Sequence, residues 1–152
     1  MECHFQPVCI STRLRRATRL TNRLYDDALT GTGVSVAQFS LLRAVERNPK
    51  ATINDLATET LLEASTLGRN LRVLEKMGLL GFGPGTDKRT RVLNLTDAGK
   101  AQIELSMPAW RKVQEDLETR LGDSGRDELF DMLDTLTSPP LLEKADDRND
   151  IW

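Results

Sequence analysis

The stretch from Glu63 to Gly78, EASTLGRNLRVLEKMG, predicts the amphipathic helix around which the rest of the chain is interpreted. Leu67, Leu71 and Leu74 recur at helical spacing, so at about 100° per residue they lie in one narrow arc that we expect to be buried. Gly78 ends the helix, because glycine adopts the left-handed C-cap conformation at low cost. The opposite face is polar and carries Ser65, Arg69, Arg72 and Lys76. This face suits a polyanion, although an ordinary solvated basic face would show the same pattern.

A short helix and a tight connection precede this stretch. Thr52 is a predicted N-cap, with Asp55 in the first turn and Leu56 facing inward. The two helices are expected at Thr52–Thr58 and Ala64–Met77, which is the arrangement of a helix-turn-helix. A second helix of this kind has the width to enter the DNA major groove, where arginine and hydroxyl side chains reach base edges and phosphates.

Two short strands and a turn-rich loop follow and predict a β-hairpin with a basic tip. The strands are expected at Leu79–Phe82 and Arg91–Leu95, and Thr96 is predicted to cap the next helix. The connecting loop reads Gly83-Pro84-Gly85-Thr86-Asp87-Lys88-Arg89. It lacks the Lys-Ser/Thr pair and the helix N-terminus that a phosphate-binding loop needs, so a wing turn is favoured.

The N-terminal part predicts two further helices. Residues 1–8 read as an irregular leader, and an amphipathic helix is expected at about residues 9–29. Ser35 and Gln38 then form a capping-box pattern at the start of a second helix.

The C-terminal part predicts a long helix, kinked or restarted at Pro108, and a final helix, together spanning about residues 97–137. Residues 138–152 are acidic and without pattern, and we expect a mobile tail. The apolar positions of these two helices are Ile103, Met107, Trp110, Val113, Leu117, Leu121, Leu129, Phe130, Leu133 and Leu136.

Composition fits one domain, which we expect at residues 9–137. The chain has 152 residues, 39% of them hydrophobic and 29% charged, and a net charge of −2. Arginines and lysines crowd the first helix and the middle of the chain, whereas acids dominate from Glu115 onward, which predicts a local positive surface on an acidic body. No apolar run approaches the length of a membrane span, so we expect a cytoplasmic protein without a membrane partner. Two cysteines exclude a disulfide scaffold.

The segment from Thr52 to Gly99 resembles the winged helix-turn-helix of the MarR family of bacterial transcription regulators. The resemblance rests on Leu56-Ala57, Ser65-Thr66, Leu74-Glu75-Lys76-x-Gly78-Leu79, Asp87-x-Arg89-x-Arg91 and Leu95-Thr96-x-x-Gly99. It implies a mainly α fold with a small β-hairpin wing. The winged helix-turn-helix core would span about residues 35–96, with dimerisation helices at about 9–29 and 97–137.

The resemblance also implies how the protein acts. We expect a homodimer that regulates transcription, a repressor whose recognition helices enter successive major grooves of an inverted-repeat operator. A small anionic or aromatic effector would release it from the double-stranded DNA. The expected DNA-contacting residues are Ser65, Thr66, Arg69, Asn70, Arg72, Lys76, Asp87, Lys88, Arg89 and Arg91.

Within this set the wing residues have separate expected roles. Arg89 would enter the minor groove, supported by Lys88 and oriented by Asp87, and Arg91 would touch the DNA backbone or brace the wing. Two positions depart from the family pattern. Gly68 stands where many relatives carry a larger polar residue, and Thr90 stands where a second acid is common.

For the effector, Arg13 and Arg16 on the first helix and Trp110 on the long helix have the chemistry to bind a carboxylate and a ring. The alternative is that the arginines form intersubunit salt bridges and Trp110 belongs to the core. We expect neither a cofactor nor a metal. Cys3, with His4 and Cys9, is a weak candidate set for a soft metal.

Cys9 lies near the start of the first helix, where the helix dipole and Arg13 would lower the pKa of the thiol. A thiol-based oxidant sensor of the same fold is therefore an alternative function, and inert thiols are the default. A winged-helix module that binds protein instead of DNA is another. Enzymatic activity is not expected, because His4, in the leader, is the only histidine available as an imidazole base.

Overall fold

The computed structural model describes residues 9–85, 90–122 and 124–138. Over these residues six helices and one two-stranded antiparallel sheet follow one another along the chain. The elements are α1 (Ile10–Leu29), α2 (Val36–Arg47), α3 (Ile53–Thr60), α4 (Ala64–Lys76), β1 (Leu80–Pro84), β2 (Arg91–Leu95), α5 (Asp97–Leu121) and α6 (Gly125–Thr137). The predicted fold class, mainly α with a hairpin wing, is confirmed.

Both predicted capping boxes form, and they fix where α2 and α3 begin. The Gln38 N–H donates to the Ser35 hydroxyl at 3.2 Å, and the Ser35 N–H donates back to the Gln38 side chain at 2.9 Å. Thr52 and Asp55 exchange the corresponding bonds at 3.2 and 2.8 Å. Each box satisfies two backbone donors that the first helical turn leaves without partners.

The hairpin pairs Leu80 with Leu95 and Pro84 with Arg91. The second strand has the predicted bounds, whereas the first starts one residue later and ends two residues later than predicted. Leu79 does not start the strand, because its N–H closes the C-terminus of α4 on the Leu74 carbonyl at 3.0 Å. At the other end, a bond of 2.8 Å from the Gly85 N–H to the Thr90 carbonyl carries the pairing past Phe82.

Helix α3 also runs two residues beyond its predicted end, to Thr60. It stops at Leu61, whose φ of +53° places a leucine in the left-handed region. The Leu61 N–H bonds to the Ala57 carbonyl, which closes the helix in the manner usually provided by glycine.

Helix α5 continues through Pro108. Of the two outcomes predicted there, the restart is wrong and the kink stays a prediction. Proline removes one backbone N–H and frees the carbonyl of residue 104. Both Glu104 and Pro108 are exposed, so water can satisfy that carbonyl and the helix persists.

The chain divides into two compact units, residues 1–111 and residues 112–152. The first contains α1 to α4, the hairpin and the start of α5 around one apolar core. Its fully buried large side chains are Leu29, Phe39, Leu42, Leu56, Leu67, Leu71, Leu74 and Leu93. In the second unit, an ion pair of 3.0 Å joins Arg126 to Glu118, and α6 contains no buried residue.

Candidate nucleic-acid interface

Helix α4 presents one buried side and one exposed polar side. Leu67, Leu71 and Leu74 are each 0% exposed and anchor the helix in the core. The exposed polar side, here termed the recognition face, consists of Ser65, Thr66, Arg69, Asn70, Arg72 and Lys76. The structure therefore brings all six predicted α4 residues to the surface on one short helix.

The recognition face carries three cations. Among the described residues, no carboxylate forms an ion pair with Arg69, Arg72 or Lys76. Arg69 Nε approaches the Ser65 carbonyl of its own helix at 3.4 Å. From Arg69 to Lys76 the three cations span about 10 Å along the axis, at 1.5 Å per residue.

The C-terminus of α4 is fixed to the start of α5 at a junction formed by Gly78, Leu79, Thr96 and Gly99. The Thr96 hydroxyl donates to the Gly78 carbonyl at 2.7 Å, and the Thr96 N–H donates to the Leu79 carbonyl at 3.2 Å. Gly99 approaches Leu79 so closely that a Cβ at residue 99 would lie 1.9 Å from the Leu79 oxygen. This junction sets the position of the recognition face relative to α5.

Sequence reasoning identified only part of the junction. The predicted cap is present, with the Gly99 N–H donating to the Thr96 hydroxyl at 3.0 Å, but the bond from Thr96 to Gly78 was not foreseen. The available signal was the glycine in the first turn of α5. Glycine weakens a helix at such a position and indicates close approach of another backbone.

The hairpin is held by one contact within it and by one bond to the rest of the chain. Arg91 Cζ lies 5.0 Å from the centre of the Phe82 ring, a cation–π contact that supports bracing as a role for Arg91. The Leu93 N–H donates to the Ala51 carbonyl at 2.8 Å and ties β2 to the segment before α3. Asp87, Lys88 and Arg89 lie outside the described residues, so their expected DNA contacts stay predictions.

The three predicted effector residues lie in different surroundings. Arg13 and Arg16 are exposed on α1, whereas Trp110 packs against the core, its ring centre 6.3 Å from that of Tyr25 and 6.1 Å from that of Phe39. Tyr25, on which Trp110 stacks, is nine residues beyond Arg16, or about 13 Å along α1, so Trp110 lies well away from the two arginines along that helix. Trp110 thus takes part in an aromatic cluster with Tyr25 and Phe39, and an effector role for the three predicted residues stays a prediction.

Cys9 is the N-cap of α1 and is exposed. The Thr12 hydroxyl, 3.0 Å from the sulfur, and then the Thr12 N–H lower the pKa of the Cys9 thiol by hydrogen bonding to it. The direction of this shift agrees with the prediction, but the contribution expected from Arg13 is not among its causes. Cys3 and His4 lie outside the described residues. Within those residues, no group of three or more His, Cys, Asp or Glu side chains is placed to hold a metal ion.

No helix in the described ranges is both long enough and apolar enough to cross a lipid bilayer.

The chain has two short helices joined by a tight turn, α3 and α4, and a β-hairpin after them. Helix α4 is buried on its apolar side and basic on its exposed side. Together these elements define a winged helix-turn-helix protein. Residues 32–90 match the sequence model of the MarR family. The Mycobacterium tuberculosis transcriptional regulator MosR, solved in complex with DNA, is 32% identical over 82% of this chain and 93% of MosR, with a TM-score of 0.73. The chain belongs to the MarR family.

Other relatives agree with this assignment. The transcriptional repressor CouR, bound to a 23-mer DNA duplex, is 27% identical over 86% of this chain and 93% of CouR, with a TM-score of 0.77. An HTH-type transcriptional regulator of Bacillus cereus is 29% identical over 96 residues, and the match spans 63% of this chain and 64% of that protein. These relatives are transcriptional regulators. Membership of a family of regulators agrees with the prediction that this chain is not an enzyme.

Proposed function

We propose that the protein is a homodimeric, sequence-specific DNA-binding regulator that represses transcription from an inverted-repeat operator and is released by a small anionic or aromatic effector. The observation that carries this proposal is the recognition face, whose three cations have no acidic partner among the described residues. The DNA complexes of the relatives MosR and CouR support the same function.

The dimensions of α4 suit the major groove. Its 13 residues make a rod about 20 Å long, and a helix fits the roughly 12 Å width of the groove. Thr66, Arg69, Asn70 and Arg72 would contact bases or phosphates, and Ser65 and Lys76 would bind phosphates. Arg91 would hold the wing in place through Phe82, while the loop from Asp87 to Arg89 would reach the minor groove.

Exposed apolar side chains on the outer helices support a homodimer. On α1, Ile10 is 64% exposed, and Leu14, Leu20 and Leu24 are also exposed. On α6, Met132 is 60% exposed, and Phe130 and Leu136 are exposed as well. A second copy would remove such surface from water, and a two-fold axis would present two recognition faces to two half-sites.

Salt dependence tests the proposal without knowledge of the operator. Binding of the full chain to a fluorescent duplex of mixed sequence should weaken steeply between about 50 and 200 mM salt, because each neutralised phosphate releases counterions. Arg72→Ala should reduce the slope of log affinity against log salt by about 1. Arg111→Ala, which removes an exposed arginine of α5, is the matched control and should leave the slope unchanged.

The same titration tests the protein-interaction alternative. A winged-helix module that binds a protein through apolar burial would show no DNA binding at about 50 mM salt, and that result would contradict the proposal.

An oxidant-sensing regulator is a second candidate, favoured by the exposed Cys9 with its lowered pKa. Peroxide would oxidise the thiolate to a sulfenic acid and release DNA, and added thiol would reverse the change. Cys9→Ser should bind DNA equally well before and after peroxide. If the variant loses DNA binding as the parent protein does, Cys9 is not the sensor.

A further inference from the structure

The N-terminal end of α4 carries a negative charge, in contrast to the basic recognition face that follows it. Glu63 is the N-cap residue, and it is exposed together with Ala64. The first cation, Arg69, comes six residues after Glu63, about 9 Å along the helix. In a helix-turn-helix, base edges are contacted mainly by residues at this N-terminal end, so a carboxylate here would lie near base edges if α4 entered the major groove.

The carboxylate of Glu63 is not used by the fold. The Glu63 carbonyl accepts the Leu67 N–H at 2.9 Å, but the side chain makes no capping hydrogen bond to the amides of α4. Among the described residues it also forms no ion pair. Asp55, by contrast, closes a capping box at the start of α3. Both oxygens of Glu63 are therefore available to an external hydrogen-bond donor.

Only some base edges can donate to a carboxylate, which is an acceptor with no proton to give at neutral pH. In the major groove, guanine presents two acceptors and thymine an acceptor and a methyl group, so neither can pair with it. Adenine has the N6 amino group, but its N7 acceptor lies beside that group and would face the second carboxylate oxygen. Cytosine presents its N4 amino donor without a neighbouring acceptor.

We propose that Glu63 is a specificity-determining residue that selects a cytosine in each half-site by accepting a hydrogen bond from its N4 amino group. The proposal rests on the DNA-binding function proposed above. Repulsion between the carboxylate and the phosphates lowers affinity for all sequences, and the cytosine contact offsets this loss only at the matching site.

The experiment is selection of random duplexes by the full chain and by two variants with the same change of charge. Glu63→Gln replaces the acceptor by an amide that pairs with adenine N6 and N7. Glu75→Gln makes the same replacement at an exposed position near the other end of α4 and is the matched control. Affinity for a mixed-sequence duplex is measured alongside, because both variants remove one negative charge.

The parent protein should enrich a half-site with one position at which cytosine is preferred by roughly 5- to 150-fold over other bases. Glu63→Gln should change that position to adenine or remove its preference, with the other positions unchanged. Glu75→Gln should keep the cytosine. Both variants should bind mixed-sequence DNA more tightly than the parent.

The inference is overturned if Glu63→Gln recovers the same site with the same preference at every position, since Glu63 would then act only through charge or the helix dipole. A parent protein that enriches no sequence would overturn the proposed function, and this inference with it. The two failures are distinguished by whether the parent enriches a site.

Discussion

Replacing Gly99 by alanine should destabilise the protein strongly, whereas the same replacement at Gly68 should stabilise it. Both glycines lie within helices, α5 and α4, and both have negative φ, so helix propensity alone favours alanine at each by about 1 kcal/mol. Their surroundings differ. A Cβ at residue 68 meets only Ile53 Cδ1 at 3.9 Å, whereas a Cβ at residue 99 meets the Leu79 carbonyl oxygen at 1.9 Å.

The cost at Gly99 follows from this distance. To reach the 3.4 Å of an ordinary contact, the backbone of residue 99 or of Leu79 must move by about 1.5 Å, which is 3.4 minus 1.9. The bonds from Thr96 to Gly78 and Leu79, at 2.7 and 3.2 Å, cannot survive that movement. Overpacking costs about 1–3 kcal/mol and each of the two lost bonds about 0.5–1.5. After the gain of about 1 kcal/mol in helix propensity is subtracted, Gly99→Ala should cost about 1–5 kcal/mol.

Denaturant and thermal unfolding at one fixed protein concentration measure both changes, since the proposed dimer would make stability depend on concentration. For a chain of this size 1 kcal/mol shifts Tm by about 2–4 °C, so Gly68→Ala should raise Tm by that amount. Gly99→Ala should instead lower Tm, by up to several times the rise expected for Gly68→Ala. If Gly99→Ala is as stable as the parent protein, or more stable as helix propensity alone would make it, the close approach of α4 and α5 at the junction is refuted.

Three further predictions concern the wing, the core and the start of α3. Arg89→Ala should weaken DNA binding by about 1–3 kcal/mol in a titration with the selected duplex while sedimentation still shows a dimer, and unchanged affinity would remove the wing assignment. Leu71→Ala should cost about 2–5 kcal/mol in denaturant unfolding, because Leu71 is fully buried behind the recognition face; a loss below 1 kcal/mol would place α4 outside the core. The backbone N–H of Thr52, and then its hydroxyl, hold the pKa of Asp55 below its ordinary value. The Asp55 carboxylate therefore stabilises the fold at pH values above the unfolded pKa of about 3.9. This stabilisation is lost as the pH falls through the lower pKa of the folded state. Asp55→Asn should therefore have a lower Tm than the parent at pH 7, with a difference that shrinks as the pH falls below about 4, and a difference independent of pH would contradict the capping role.

Features that depend on local sequence were predicted well. Ser35 with Gln38 and Thr52 with Asp55 form the expected capping boxes, because each box depends on two residues three positions apart. Gly78 has the expected positive φ, because few other residues adopt that conformation without strain.

Features that depend on distant contacts were predicted less well. Helix α3 was expected to end at Thr58 but runs to Thr60, and it closes at Leu61 in a left-handed conformation that leucine seldom adopts and that the sequence gives no reason to expect. The late start of β1 has a local and a distant cause. The Leu79 N–H bonds to the Leu74 carbonyl as part of the C-cap at Gly78, which is local, whereas the bond from the Thr96 N–H to the Leu79 carbonyl joins distant residues and no local pattern encodes it. The role of Trp110 could not be decided either, because an aromatic residue in a helical stripe suits a core and a ligand site equally well.

The central claim is that the recognition face reads DNA sequence, and the most direct test is selection of random duplexes by the purified chain at moderate salt, with Arg69→Ala alongside. We expect an inverted repeat whose half-sites lie about one helical turn apart, enriched by the parent protein and lost or degraded with the variant. If no sequence is enriched at any salt concentration, or if Arg69→Ala recovers the same repeat with equal efficiency, α4 does not read DNA in the way proposed.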